Sequence, residues 1–366
     1  MNRFVLARGG GQRIPLTIVG GPEGAGKTTL LRRLLTHNDG RRIAVVLDHP
    51  SALALSDDLI ASSDGNSVVL HNGSACLSLD GEIGTALSMI HTRRVVGPPG
   101  HVVVEASASA SPLRTSGYAY LPGFRPGGTV VVVSAPDVLR VRDDEVEFDS
   151  NLEAQLQHAE LLVLNQVDRV NPSELQATRR WLLQRTTRAR LVESVRCGLP
   201  AAMILGTSLD HAPVHAIHGE WTPTYAVDTE RRTRIAQPRH AEDYRAWLLT
   251  TRTSVDAGAF KGWVSALPDS ILRGDGILRI RGEPSHRFQF HRCGLRWSLT
   301  RDEPWGDAGE EPLSWVSLVG FASASIPSST EGQGPELFET AGAAEPRHFR
   351  PPLRRSRKPR QIGDVS

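Results

Sequence analysis

Eight residues, Gly21-Pro-Glu-Gly-Ala-Gly-Lys-Thr28, constrain this chain more than any others. They follow "RIPLTIVG", a β-branched apolar run that reads as a buried strand. They precede "KTTLLRRLLTH", whose leucines recur at helical spacing. A strand that turns into a helix through glycines leaves the first helical N–H groups free to meet an anion. In that context G-x-x-x-x-G-K-[ST] reads as a phosphate cradle. Gly21, Glu23, Gly24, Ala25 and Gly26 form it, and Lys27 reaches toward the β/γ oxygens. Thr28 offers its hydroxyl to Mg²⁺, and Thr29 follows on the same turn. Of 42 basic residues only Lys27, Lys261 and Lys358 are lysines, so a lysine inside a glycine loop carries weight.

Downstream, short apolar strands alternate with helices to about residue 205. "RRIAVVLDHP", "SVVLHNGSACLSL", "GHVVVEASASASP", "GTVVVVSAPD", "HAELLVLNQVDRV" and "RARLVESVRCGLP" each read as one strand. "GEIGTALSMIHTRR" and "PSELQATRRWLLQRT" read as helices. The expected fold class is α/β: a P-loop NTPase with a mainly parallel sheet flanked by helices. Residues 206–235 lose the rhythm and read as a linker. A smaller α+β domain is expected over 236–325. There "AEDYRAWLLTT" and "AFKGWVSALPDSI" read as amphipathic or helical, and "GILRIRG", "HRFQFHRCGLRWSLT" and "SWVSLVGFA" as antiparallel strands. Residues 326–366, rich in Ser, Gly, Pro and Arg, read as a disordered tail.

Two further segments address the nucleotide. Asn165-Gln-Val-Asp168 follows a buried strand and is similar to the N-K-x-D guanine reader, with Gln166 in the lysine's place. The Asp168 carboxylate accepts both guanine N1–H and N2–H, and Asn165 meets O6/N7; adenine would leave the carboxylate desolvated and unpaired. Glu105, at the end of three valines, is placed to assist Mg²⁺, often through water. Asp48, ending "IAVVLD", is a second carboxylate for the same ion. Lys27 and Glu105 are the candidate catalytic pair. An ATPase or kinase is the reading to weigh against guanine, because the base reader is altered.

These pieces resemble the CobW/HypB/UreG family of GTPases, in its CobW-like metallochaperone branch, over most of residues 14–322. "GGPEGAGKTTLLRRLL" is similar to the family's G-x-x-G-A-G-K-T-T-L-L, and "VVVEASASASP" to its strand-end Glu followed by Ser-Gly-x-Ala-x-Pro. "HNGSACLSLDGEI" resembles its C-x-C-C segment, and "LPDSILRGDGILRIRG" with "FQFHRCGLRWSL" resembles the CobW C-terminal domain. The resemblance implies GTP and Mg²⁺ binding, slow GTP hydrolysis, and delivery of Zn²⁺ or Co²⁺ to a client metalloprotein. The departures are specific. Ser74, Cys76 and Leu77 occupy the C-x-C-C places, so Cys76 alone remains as a transition-metal ligand, short of the three or four that a tetrahedral site needs. Ala108 replaces the glycine after Glu105, and Asp275 replaces the lysine of the C-terminal R-x-K-G.

Other metal and partner features are weaker. His211, His215 and His218 cluster in the linker, but Pro213 interrupts a helix there. His291 and Cys293, two apart on a strand, read as packing. Residues 347–360 carry six arginines, one lysine and no acid. They read as a solvated end or as an arm for RNA phosphates. The second sense suits a nucleotide-dependent adaptor that has lost metal transfer, since a subgroup of the same branch recruits a ribosome-hibernation factor. A net charge of +2 does not by itself call for nucleic acid. Three distant cysteines argue for free thiols and a cytoplasmic setting. The chain has no apolar run of membrane-spanning length, about 18 residues, and its N-terminus has no signal-like core.

Overall fold

The structure is a computed structural model. It describes residues 13–37, 40–47, 60–63, 67–71, 74–78, 83–92, 99–106, 112–143, 149–186, 188–206, 244–305, 313–324, 326 and 339–341. Asp48, Ala108, the 211–218 histidines and the 347–360 segment lie outside these residues.

Nine strands form the first sheet: β1 (Ile14–Gly20), β2 (Ile43–Leu47), β3 (Ile60–Ser63), β4 (Ser67–Leu70), β5 (Ala75–Ser78), β6 (His101–Glu105), β7 (Phe124–Ser134), β8 (Leu161–Asn165) and β9 (Arg190–Ser194). Their order is β3-β4-β5-β2-β6-β1-β7-β8-β9. From β5 to β9 every pairing is parallel; β3–β4 and β4–β5 are antiparallel. The middle strands are buried through their valine runs, all of β6 and Val130–Ser134 of β7, as "VVV" and "VVVV" runs require. Their alternate residues feed opposite faces: Val19, Val45, Val103 and Val132 meet helix α1 (Lys27–Thr36), whereas Ile18, Val46 and Val104 meet α2 (Ile83–His91). Helix α3 (Pro112–Gly117) follows β6. Helices α4 (Ala135–Arg142), α5 (Ser150–His158) and α6 (Pro172–Arg185) cover the β7–β9 end, and α7 (Ala201–Leu205) closes the first face.

The "SVVLHNGSACLSL" segment is two strands, not one. β4 and β5 run antiparallel across residues 71–74. An Asn-Gly pair between apolar runs is the standard hairpin signal, and it outweighs the apolar continuity.

A second, six-stranded antiparallel sheet runs β13-β12-β11-β14-β10-β15. Its strands are β10 (Tyr244–Thr251), β11 (Ile271–Arg279), β12 (His286–Cys293), β13 (Arg296–Pro304), β14 (Ser314–Phe321) and β15 (Glu339–Ala341). Helix α8 (Ala257–Ala266), capped by the Asp256 side chain, packs Phe260, Trp263 and Val264 onto one face. Two expectations change here. "YRAWLLTT" is strand β10, because a short run apolar on both faces fits a sheet bordered by neighbours as well as it fits a helix. Residues 339–341, inside the segment read as disordered, pair with Leu248–Thr250 at the sheet edge.

The other face of the second sheet meets the first domain through Leu272, Cys293 and Phe321, which join the α1-side core, and through charge. Arg273 and Asp275 on β11 and His291 on β12 are buried. Arg273 donates to the Ile204 carbonyl and lies 3.4 Å from Asp275 Oδ2. His291 Nδ1 is 2.9 Å from Asp275 Oδ1, and Arg125 of β7 stands 4.0 Å away. Arg41 donates to the Gly206 carbonyl. At the rim, Arg296 pairs with Glu160 at 3.0 Å and donates to the Tyr120 hydroxyl at 2.7 Å.

Candidate nucleotide site

In an open parallel sheet the crevice lies at the C-terminal ends of the strands where the order reverses. Here β1 sits between β6 and β7, and its end runs into the Gly21–Thr28 loop. Glu105, the last residue of β6, is in register with Val19 of β1 and Leu47 of β2. The loop and the carboxylate therefore meet at one point from separate strands.

The loop's shape is written in its glycines. Gly21, Gly24 and Gly26 have φ of 131°, 75° and 112°, the region that favours glycine. A Cβ on Gly21 would strike the Val132 carbonyl; one on Gly26 would strike the Asn165 amide and come within 3.1 Å of Cys197 Sγ. Helix α1 has no side-chain cap and no acid in its first turn. Its N–H groups and the positive end of its dipole therefore remain available to a phosphate. Lys27 is buried, with Nζ donating to the carbonyls of Gly21 (2.8 Å) and Pro22 (3.0 Å). Burial lowers its pKa, and the nearby Glu105 and Glu23 oppose that. Thr28 and Thr29 are half-buried; Glu23 and Gly24 are exposed. Glu105 is 7% exposed. A buried carboxylate beside the lysine, with the Thr28 hydroxyl on the adjoining helix end, fits the hard oxygen donors that Mg²⁺ takes.

The Asn165–Asp168 segment splits into a buried and an exposed part. Asn165 is 2% exposed and its amide is engaged at both ends. Nδ2 donates to the Ala25 carbonyl at 2.9 Å, and Oδ1 accepts from Ser194 Oγ (3.1 Å) and the Cys197 N–H (2.9 Å). It thus fastens the phosphate loop to β8 and to the turn after β9. Asp168 lies in a 3₁₀ turn, Val167–Arg169, with its carboxylate exposed. Ser194 and Cys197 were not legible as site residues. The only sign in the sequence is a small-residue turn, "ESVRCG", after a strand; in the structure Arg196 and Cys197 both take positive φ, 51° and 52°.

The Cys76 segment is built as core. Ser74 is buried, with Oγ accepting from the Ile43 N–H at 3.2 Å. Leu77 is 1% exposed in the α2-side core, and Cys76 lies in the α1-side core. Burial, with Glu105 nearby, pushes the Cys76 thiol up to about 12. A thiol held protonated is a poor ligand, since the thiolate binds metal. Among the described residues no group of three or more His, Cys, Asp or Glu is placed to hold a metal ion.

The model for the CobW/HypB/UreG nucleotide-binding domain matches residues 15–193, and the model for the cobalamin synthesis protein CobW C-terminal domain matches residues 244–325. The chain belongs to the CobW/HypB/UreG family of P-loop GTPases. Relatives of this CobW-family chain include the zinc chaperone CobW of Sinorhizobium sp, 26% identical over 355 residues, spanning 87% of this chain and 96% of that protein. The zinc chaperone YjiA of Escherichia coli K12 is 24% identical over 319 residues, spanning 84% and 94%. Among solved structures, Zn(II)-bound YjiA GTPase from E. coli is 22% identical with a TM-score of 0.39, covering 85% of this chain and 95% of that one. Among the described residues no helix is long and apolar enough to cross a membrane.

Proposed function

We propose that this CobW-family protein binds GTP with Mg²⁺, hydrolyses it slowly, and uses the cycle to hand a transition metal to a client metalloprotein in the cytoplasm. The observation that carries the nucleotide half is the exposed Asp168 carboxylate, three residues beyond an Asn165 that is tied into the phosphate loop. That carboxylate meets both guanine donors, while Asn165 holds the loop and touches the base edge only secondarily. Gly21, Glu23, Gly24, Ala25, Gly26, Lys27, Thr28 and Thr29 surround the phosphates. Lys27 exchanges its two loop carbonyls for phosphate oxygens when the nucleotide arrives. Thr28 and Glu105 hold the Mg²⁺, with Asp48 as a further carboxylate. The ion, when bound, neutralises charge on the β- and γ-phosphates.

The metal half rests on relatives named zinc chaperones. Zinc is the first candidate cargo and cobalt the second. Cys76 is too few and too protonated to hold either alone. The adaptor reading for a ribosomal client gains no support from these relatives, and its basic 347–360 segment lies outside the described residues.

The test is a side-by-side titration of labelled GTP and ATP analogues against wild type and Lys27→Ala, with phosphate release measured with and without Zn²⁺. GTP preference, loss of binding in Lys27→Ala and a folded variant are expected. Preference for ATP, or unchanged affinity in Lys27→Ala, overturns the assignment.

A further inference from the structure

We propose that Gln166 and Arg169 act as a positioning pair that sets the phosphate loop from outside the nucleotide. The proposal rests on the nucleotide reading above for its consequence, but not for its geometry.

Gln166 directly follows β8 and holds φ 60°, ψ 34°, a left-handed conformation uncommon outside glycine. Both ends of its amide are used. Nε2 donates to the Gly24 carbonyl at 3.1 Å, and Oε1 accepts from Arg169 Nη1 at 3.0 Å. These partners fix which way the amide faces: a carbonyl demands the NH₂ and a guanidinium demands the oxygen. Asn165, one residue earlier, holds the next carbonyl of the loop, Ala25. Two successive side chains thus grip two successive carbonyls. In a planar trans peptide the N–H points away from the C=O, so the grip also sets the amides of Ala25 and Gly26. Gly24 and Gly26, at φ 75° and 112°, supply no stiffness of their own. The loop's order at its tip must come from contacts such as these.

Arg169 gives the grip its strength. A hydrogen bond from a charged donor is stronger than a neutral one and polarises the amide it reaches, so the Gln166 NH₂ becomes a better donor to Gly24. A lysine at 166 would make the same donation directly. This chain instead divides that task between a neutral fork at the loop and an exposed charge one step behind it.

The experiment measures release of fluorescently labelled GDP by stopped flow, and hydrogen exchange of the peptide spanning 21–29 in nucleotide-free full-length protein. Gln166→Ala and Gln166→Glu are expected to speed release about tenfold, the upper range for one such bond. They are also expected to raise loop exchange without moving the thermal midpoint. Glutamate keeps the shape but cannot donate. Arg169→Ala is expected to speed release about threefold, the lower end of the same range. Gln166→Lys is expected to stay near wild type, because its ammonium restores a donor to Gly24. Wild-type exchange and release in Gln166→Ala, or a Gln166→Lys as defective as Gln166→Ala, overturns the pair. If labelled GDP does not bind wild type, the nucleotide reading fails, and the exchange data alone then decide the pair.

Discussion

Replacing Arg273 by methionine tests the charged seam between the two sheets. The guanidinium is 1% exposed, so water cannot readily take over its contacts. Methionine retains much of the stem's packing and removes the donation to the Ile204 carbonyl and the pairing with Asp275. Breaking a buried ion pair costs about 3–5 kcal/mol, because the remaining charge is stranded. Asp275 keeps His291 at 2.9 Å and Arg125 at 4.0 Å, which favours the lower end. The Ile204 carbonyl adds about 1 kcal/mol for its lost donor, since Thr17 Oγ1 reaches it only at 3.4 Å. The expected destabilisation is about 4 kcal/mol. With a urea slope of about 3 kcal/mol/M, the midpoint should fall by about 1.3 M. Tryptophan fluorescence reports it, since Trp247, Trp263, Trp297, Trp305 and Trp315 all lie in the second domain. The double variant Arg273→Met/Asp275→Leu should recover part of the loss, as no carboxylate is left stranded, while Arg125 and His291 give up their shared partner. A midpoint shift below about 0.3 M, on the same slope, or a double variant no better than the single, would refute the reasoning.

Asn165→Ala should weaken nucleotide binding by about two orders of magnitude, equivalent to about 3 kcal/mol from three lost buried bonds; calorimetric affinity within threefold of wild type would count against the clamp. Cys76→Ser should leave zinc affinity unchanged by calorimetry and cost about 1–2 kcal/mol of stability for a hydroxyl placed among apolar neighbours; a large loss of metal affinity would restore Cys76 as a ligand. Acid should loosen the fold from just below neutrality. His101 is fully buried, 2.8 Å from Thr17 Oγ1, and burial together with Arg273, Arg41, Arg125 and His291 holds its pKa well below 6.5. Burial outweighs Asp275 to lower His291 as well. Below about pH 6.5 the unfolded chain takes up protons that the native state refuses, so stability falls as pH drops from 7 toward the native values. The urea midpoint should decline between pH 7 and 5, and His101→Asn should flatten the decline.

Much of the site was readable because its chemistry is local in sequence. Gly21 to Thr28 needs one strand, one turn and one helix, all contiguous, and the composition declares each. Asp168 was picked out the same way, by its distance from the end of an apolar run, and the structure sets it exposed in the turn after β8. Asn165 was read as a base contact, and its structural contacts were not foreseen. Its bonds to Ala25, Ser194 and Cys197 span 140, 29 and 32 residues, and no spacing rule reaches across a sheet. β10 was misread because "YRAWLLTT" is apolar on both faces, so neither period shows. Asp275 and His291 were noted singly, but their meeting with Arg273 was not legible, for a further reason. Charged residues on a strand read as a solvated face until a second domain covers them.

The three-residue strand β15 carries weight beyond its length. It lies along β10, which would otherwise end the second sheet with a row of unmatched peptide groups. Bare edges of that kind recruit strands from neighbouring molecules. Shortening the chain before residue 339 would therefore remove more than a polar tail. It would uncover a template at Leu248–Thr250, and the shortened protein should assemble with itself at concentrations where the full chain stays dispersed.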